Sequence, residues 1–186
     1  MNLETVKKNL STKLDPTPNF TTKNKLASVL IIIYHNEPKI LMTVKPKTMS
    51  FHGGEVSFPG GKMNENDPNL LFTALRETKE EINLDIKPEQ VIGQLSPVTT
   101  LNSGFRITPF LTMLDELPSL SPNSEVESIL KIPLGSFLET LNNDTNPEHQ
   151  SIQEMHTFQF QDKIVWGASA RMLKQIDDIL SKNHIS

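Results

Sequence analysis

Phe58-Pro59-Gly60-Gly61-Lys62, then Asp67-Pro68, then Arg76-Glu77-Thr78-Lys79-Glu80-Glu81-Ile82-Asn83-Leu84: this stretch decides how the chain is read. A proline and two glycines feed a helix that carries three glutamates near its end. Asp67 suits an N-cap and Pro68 the first helical position, so the helix is expected to open there. Leu71, Ala74, Leu75, Thr78 and Ile82 form its buried stripe, and Asn83 suits a left-handed residue at its close. Glu77, Glu80 and Glu81 stand at i, i+3 and i+4, on one helix face. Three carboxylates within a turn repel one another unless a cation sits between them. Hard oxygen ligands at that density suit Mg²⁺ or Mn²⁺. Such an ion would neutralise a diphosphate and activate a water. Arg76, four residues before Glu80, is placed to brace it or its neighbours. Gly60 and Gly61 let the backbone approach a ligand closely, so a carbonyl there reaches the same place. On its own, the glutamate spacing equally describes a solvated helix face.

Outward from this centre, strands and helices alternate. Leu3, Val6, Leu10 and Leu14 mark a helix over Leu3–Leu14, stopped by Asp15-Pro16-Thr17-Pro18. Lys25–Tyr34 reads as a strand buried on both faces, and Lys39–Val44 as its hairpin partner across Asn36-Glu37-Pro38. Lys45–Glu55 is a loop and Val56–Phe58 a short strand. Val91–Leu95, Phe105–Leu114, Glu125–Ile132, Met155–Phe160 and Lys163–Trp166 are expected strands. Pro97–Gly104, Glu116–Ser124 and Asn142–Pro147 are expected loops. Pro133 opens a short helix to about Leu141, and Ala168–Leu180 is the last helix. The pattern implies an α/β fold, a mixed β-sheet with helices on both sides. Residues 1–186 are expected to form one domain, with residues 1–24 as an N-terminal helix and linker.

The 186 residues carry a net charge of -4, no cysteine and 36% apolar residues. Disulfides, thiolate metal sites and cysteine nucleophiles are excluded. The acidic balance argues against nucleic acid as a partner, and the apolar run Leu26–Tyr34 is too short to span a membrane. Met1-Asn2-Leu3-Glu4 has no signal-peptide pattern, so a cytoplasmic protein, monomer or homodimer, is the default expectation.

Gly61 through Leu84 resembles the Nudix box, Gly-x5-Glu-x7-Arg-Glu-U-x-Glu-Glu-x-Gly-U, where U is aliphatic. Arg76-Glu77, Glu80-Glu81 and Leu84 match it. The first box glutamate falls on Asp67, with one more residue before Arg76; Thr78 replaces an aliphatic residue and Asn83 the glycine. The aspartate and the longer spacer are similar to the coenzyme A diphosphatase-like branch of the Nudix hydrolases. So are Leu41-Met42-Thr43, Gly54-x3-Phe58-Pro59-Gly60-Gly61, Ser103-Gly104-Phe105-Arg106-Ile107-Thr108-Pro109, Ile132-Pro133-Leu134 and Trp166-Gly167-Ala168-Ser169-Ala170-Arg171. The resemblance covers about residues 26–182. The arginine of the branch's upstream signature falls on Ser50, with Lys45 and Lys47 nearby to compensate.

The resemblance implies a Nudix-type α/β/α sandwich. It implies that Glu77, Glu80, Glu81 and the Gly61 carbonyl hold Mg²⁺ or Mn²⁺, with Glu80 and Glu81 as the strongest ligands. Either Glu77 or a loop carboxylate, Glu125, would be the general base, with water attacking one phosphorus. Lys45, His52, Arg106 and Gly60 are the substrate-binding candidates. Each has a structural alternative: His52 as a loop histidine, Arg106 and Glu125 as solvated surface. Phe51 and Phe105 either stack on adenine or fill core, and Trp166 reads as core. The substrate would be a small-molecule nucleotide, coenzyme A or acyl-CoA first, giving 3′,5′-ADP and a 4′-phosphopantetheine species. Alternatives are ADP-ribose, a dinucleotide or a nucleoside triphosphate, and, in another class, a catalytically silent nucleotide-binding regulatory domain.

Overall fold

The structure, a computed structural model, describes residues 2–15, 25–48, 53–100, 103–146 and 155–182. In chain order its elements are α1 (Leu3–Leu10), β1 (Lys25–Tyr34), β2 (Lys39–Val44), β3 (Val56–Ser57), β4 (Gly60–Lys62), α2 (Leu70–Ile82), a 3-10 turn (Pro88–Gln90), β5 (Val91–Gln94), β6 (Val98–Thr99), β7 (Phe105–Leu114), β8 (Ser128–Pro133), α3 (Leu134–Leu138), β9 (Asn142–Asn143), β10 (His156–Phe160), β11 (Lys163–Val165) and α4 (Gly167–Lys182). The main sheet runs β3-β2-β1-β7-β5, with β4 also on β1, β6 on β7 and β8 on β2. β1 and β7 are parallel, Lys25 opposite Phe105 through Tyr34 opposite Leu114. Their neighbours are antiparallel, so the sheet is mixed as expected.

The apolar run of β1 is continuous because both faces are covered. Leu30, Ile32 and Tyr34 face a core shared with Leu70, Leu71, Ala74 and Ile82 of α2. Ile31 and Ile33 face a core shared with Leu3, Val6 and Leu10 of α1 and Met172, Leu173 and Ile176 of α4. Helices therefore cover both faces, which makes the molecule an α/β/α sandwich.

Several boundaries differ from those expected. α1 stops at Leu10 rather than Leu14 because Ser11 turns extended and Thr12 bonds to β5 instead. The Thr12 N–H donates to Ile92 O at 3.1 Å. The Thr12 hydroxyl accepts from the Gln94 N–H at 2.8 Å and donates to Gln94 O at 2.9 Å. Residues 16–18, read as the helix stop, lie outside the described residues. α2 opens at Leu70, not at Asp67-Pro68: Asn69 is the N-cap, accepting from the Phe72 N–H at 2.9 Å. The glycine pair, read as feeding the helix, lies in the short strand β4. β8 starts at Ser128, leaving Glu125 in the preceding loop. The expected loops Pro97–Gly104 and Asn142–Pro147 contain β6 and β9. Trp166, read as core, is half-buried after β11. Asn83 is left-handed as expected, φ 56 and ψ 37, and its N–H donates to Lys79 O at 3.0 Å.

Candidate active site

β4 lies antiparallel on the first half of β1, with Gly60 opposite Val29, Gly61 opposite Ser28 and Lys62 opposite Ala27. α2 lies along β4 and reads it residue by residue. The Gly60 N–H donates to Glu81 Oε2 at 3.1 Å. A Cβ on Gly61 would sit 2.5 Å from the Glu77 carboxyl carbon, so Glu77 fills the space a side chain would need. Arg76 Nη2 donates to Lys62 O at 3.3 Å. Gly60 has φ +153, and a Cβ there would collide with Ser28 O. Only glycine holds that strand against β1.

Arg76 is the hub of the charges. Its Nε and Nη2 donate to the two oxygens of Asp67 at 3.0 and 2.9 Å, a bidentate fork. Its Nη1 lies 2.9 Å from Glu77 Oε1 and 3.0 Å from Glu80 Oε2. This is the bracing the sequence suggests. Asp67 has a different job from the N-cap expected of it. Its carboxylate is buried and also accepts from the Thr73 hydroxyl at 2.9 Å and the Asn64 N–H at 2.9 Å. These bonds, Arg76 first, hold the Asp67 carboxyl down at about 2 and push the guanidinium pKa up. The fork leaves only one end of Arg76 for the glutamates.

The glutamates are not equivalent. Glu80 is exposed, Glu77 intermediate, and Glu81 buried at 5% exposure. Burial pushes Glu81 up to about 7, against the opposing pull of the Gly60 N–H and Lys45; Glu77 and Glu125 push the same way as burial. Burial also raises Glu77, Arg76 opposes it, and Glu80 and Glu125 add to it. Lys45 and Glu125, proposed from sequence alone, are thus within electrostatic reach of the helix glutamates. The reason for Glu125 is visible in its loop. The Ser121 and Asn123 N–H groups donate to Ile82 O at 3.0 Å and Glu81 O at 2.9 Å. They satisfy carbonyls that the end of a helix leaves without partners. The Glu125 N–H then donates to Asn123 Oδ1 at 2.8 Å, and the buried Val126 anchors the far side.

The structure does not gather every candidate. Arg106 sits half-buried on β7, opposite Leu26 and Thr99, and shares a sheet face with the buried Thr108 and Phe110. The ammonium groups of Lys25 and Lys62 lie over the Phe105 ring, where a stacked base would compete with them. His52, Ser50 and Phe51 lie outside the described residues. Two features were missed in the sequence. The Asp67–Arg76 fork was hidden because the acid is nine residues upstream of its partner, beyond helical spacing. The lysine pair on Phe105 joins three strands, which no local pattern reveals.

The donor set fits a hard divalent cation in chemistry. Glu77 and Glu81 are carboxylates whose charge is under-compensated, which is why burial raises them. Among the described residues no three acidic or imidazole side chains already enclose a metal position, and Arg76 holds Glu77 and Glu80.

A model of the NUDIX domain matches residues 24–162, and the chain belongs to the NUDIX family. It is 32% identical over 170 residues to an uncharacterized Nudix hydrolase NudL of Photorhabdus laumondii, covering 88% of this chain and 90% of that one. A NudL of Yersinia pestis is 30% identical over 161 residues, covering 84% of this chain and 80% of its own. Among solved structures, a MutT/nudix family protein from Enterococcus faecalis superposes with TM-score 0.59 at 16% identity. That likeness covers 94% of this chain, which spans 65% of the Enterococcus protein. RenU, a Nudix hydrolase of M. smegmatis, gives TM-score 0.56 at 14% identity, covering 86% and 87%. At such identities the two structures speak for the fold.

Proposed function

We propose that this chain is a divalent-metal-dependent diphosphatase acting on a nucleoside diphosphate joined to a second group, with coenzyme A or acyl-CoA as first choice. The products would be 3′,5′-ADP and 4′-phosphopantetheine or its acyl form. The observation that carries the reading is the seating of Glu77 and Glu81 on the glycine strand: Glu81 Oε2 accepts from the Gly60 N–H at 3.1 Å and Glu77 fills the side-chain space of Gly61, with both carboxylates raised by burial. The box residues and the NUDIX membership support the same class.

Glu77, Glu80, Glu81 and the Gly61 carbonyl would hold Mg²⁺ or Mn²⁺, which supplies charge neutralisation and Lewis-acid polarisation of the diphosphate. Arg76 supports them from behind: forked on Asp67, it keeps one Nη for Glu77 and Glu80. Gly60 fixes the Glu81 carboxylate through its N–H. Lys45, whose charge acts on Glu81, would draw an anionic substrate toward the acidic cluster. Either Glu77 or Glu125, the latter on a loop pinned to the end of α2, would take a proton from the attacking water.

A substrate panel with Mg²⁺ or Mn²⁺, products resolved by chromatography, tests this. Coenzyme A should be split, and EDTA should stop the reaction. Glu81→Gln should lower turnover by about a hundredfold or more, as expected for loss of a transition-state charge interaction, with the native circular-dichroism spectrum kept. Intact coenzyme A beside cleaved ADP-ribose would overturn the first-choice substrate. Turnover of the variant within a few-fold of the parent would overturn the ligand assignment.

A further inference from the structure

A second charged cluster lies one residue from the glycine pair. Lys25 opens β1, Lys62 closes β4 and Phe105 opens β7. The sheet register brings them together: Lys25 faces Phe105, and Lys62 faces Ala27, two residues further along β1. Lys62 Nζ lies 5.3 Å and Lys25 Nζ 5.5 Å from the centroid of the Phe105 ring. Both lysines are exposed and the ring is half-buried. None of the ion pairs among the described residues includes either lysine.

Two ammonium groups over one ring repel each other, and the ring quadrupole offsets that repulsion only in part. An anion between them would relieve it. The chemistry narrows the anion. With cations over the ring, a planar base would have to displace them to stack there. A tetrahedral dianion accepts hydrogen bonds from two ammonium groups at once, which favours a phosphate monoester. The position narrows it further. Arg76 Nη2 donates to Lys62 O, and Glu77 rests on Gly61, so β4 links the cluster to the carboxylates. Lys25 is three residues from Ser28, the partner of Gly61, or about 10 Å along the strand.

We propose that Lys25 and Lys62, steadied on Phe105, form a subsite for a phosphate monoester on the nucleotide half of the substrate, distinct from the diphosphate that is cleaved. This rests on the diphosphatase reading above and sharpens it. The chain would select nucleoside diphosphate derivatives that carry an additional ribose phosphate. In coenzyme A that group is the 3′-phosphate.

The test is calorimetric binding of adenosine 3′,5′-bisphosphate and of AMP, in EDTA, which requires no turnover. The parent should prefer the bisphosphate about tenfold, or about 1.4 kcal/mol. Lys25→Gln/Lys62→Gln should lose that preference, and Lys25→Arg/Lys62→Arg should keep it. Thermal unfolding of each variant checks that the fold is intact. Equal affinities in the parent, or a preference that survives the glutamine pair, would overturn the subsite. In parallel, kcat/KM is compared for coenzyme A and 3′-dephospho-coenzyme A. Cleavage of both at equal efficiency would overturn the subsite and leave the diphosphatase reading standing. A lysine-dependent preference in binding, with neither compound cleaved, would overturn that reading and leave the subsite standing.

Discussion

Gly60 and Gly61 are adjacent in sequence and differ in what they tolerate. A Cβ on Gly60 meets the backbone of β1, which cannot move aside, at a φ that side chains rarely adopt. The nearest atoms to a Cβ on Gly61 are the carboxyl end of Glu77, a side chain that can move aside. Gly60→Ala should therefore destabilise the fold by about 2–3 kcal/mol, read by urea unfolding. Gly61→Ala should unfold within about 1 kcal/mol of the parent yet lose turnover, because it displaces Glu77. Equal stability losses in the two would contradict this division. Glu81 sets a pH dependence at the same scale. Its folded pKa of about 7 exceeds the ordinary 4.5, so the folded state binds its proton more tightly than the unfolded one. The stability this contributes is fully present below about 4.5 and is lost as pH rises through about 7, at most about 3 kcal/mol. Asp67 has the opposite sign: held at about 2, it contributes stability above its ordinary 3.8 that is lost as pH falls toward 2. In EDTA, the Tm of the parent should fall between about pH 5 and pH 8, less so in Glu81→Gln. Mg²⁺ or Mn²⁺ should restore more Tm at the alkaline end. A parent profile level across that window would overturn the assignment.

At the scale of the element, α2 is fixed at both ends by residues outside it. Asn69 caps its start, and Asn83 ends it in the left-handed region that asparagine tolerates better than most residues. Thr78, where the box has an aliphatic residue, is fully buried and turns its hydroxyl back onto Ala74 O at 2.8 Å. The polar atom thus enters the core already bonded. The Asp67 fork holds the middle of the helix against β4 through Arg76. Asp67→Asn should cost about 1–3 kcal/mol in denaturant unfolding, because it removes the charged partner of the Nε–Nη2 edge of Arg76 and leaves only Glu77 and Glu80 on Nη1. It should also lower turnover about tenfold or more, since the glutamates lose their brace. A stability loss with unchanged kcat would show that Arg76 serves the fold alone.

At the scale of the molecule, the site depends on a sheet covered on both faces. α1 contributes Leu3, Val6 and Leu10 to the core opposite α2. Leu10 is fully buried, so Leu10→Ala should cost about 3 kcal/mol. The kcat should be unchanged, since that core lies across the sheet from the carboxylates. A cost below about 1 kcal/mol would mean that α1 is not part of the folded unit.

The sequence by itself determined the strands whose patterns are dense and local. β1, β2 and β7 fall on Lys25–Tyr34, Lys39–Val44 and Phe105–Leu114, as read from runs of β-branched and apolar residues. It also determined the helix of glutamates, its left-handed end at Asn83 and the bracing role of Arg76, because these rest on helical spacing. The tertiary structure alone decided the features that depend on contacts between distant segments. β4 is a strand only because β1 accepts it, and Asp67 forgoes capping for a buried fork with Arg76. Thr12 leaves its helix for the edge of β5. Glu125 comes within electrostatic reach of Glu77 and Glu81 because its loop is pinned to the end of α2. Glu81, on a face whose spacing alone equally describes a solvated helix, is buried, and burial pushes it up to about 7. Spacing specifies which side chains share a face; packing decides which of them lose water, and with it their charge and their chemistry.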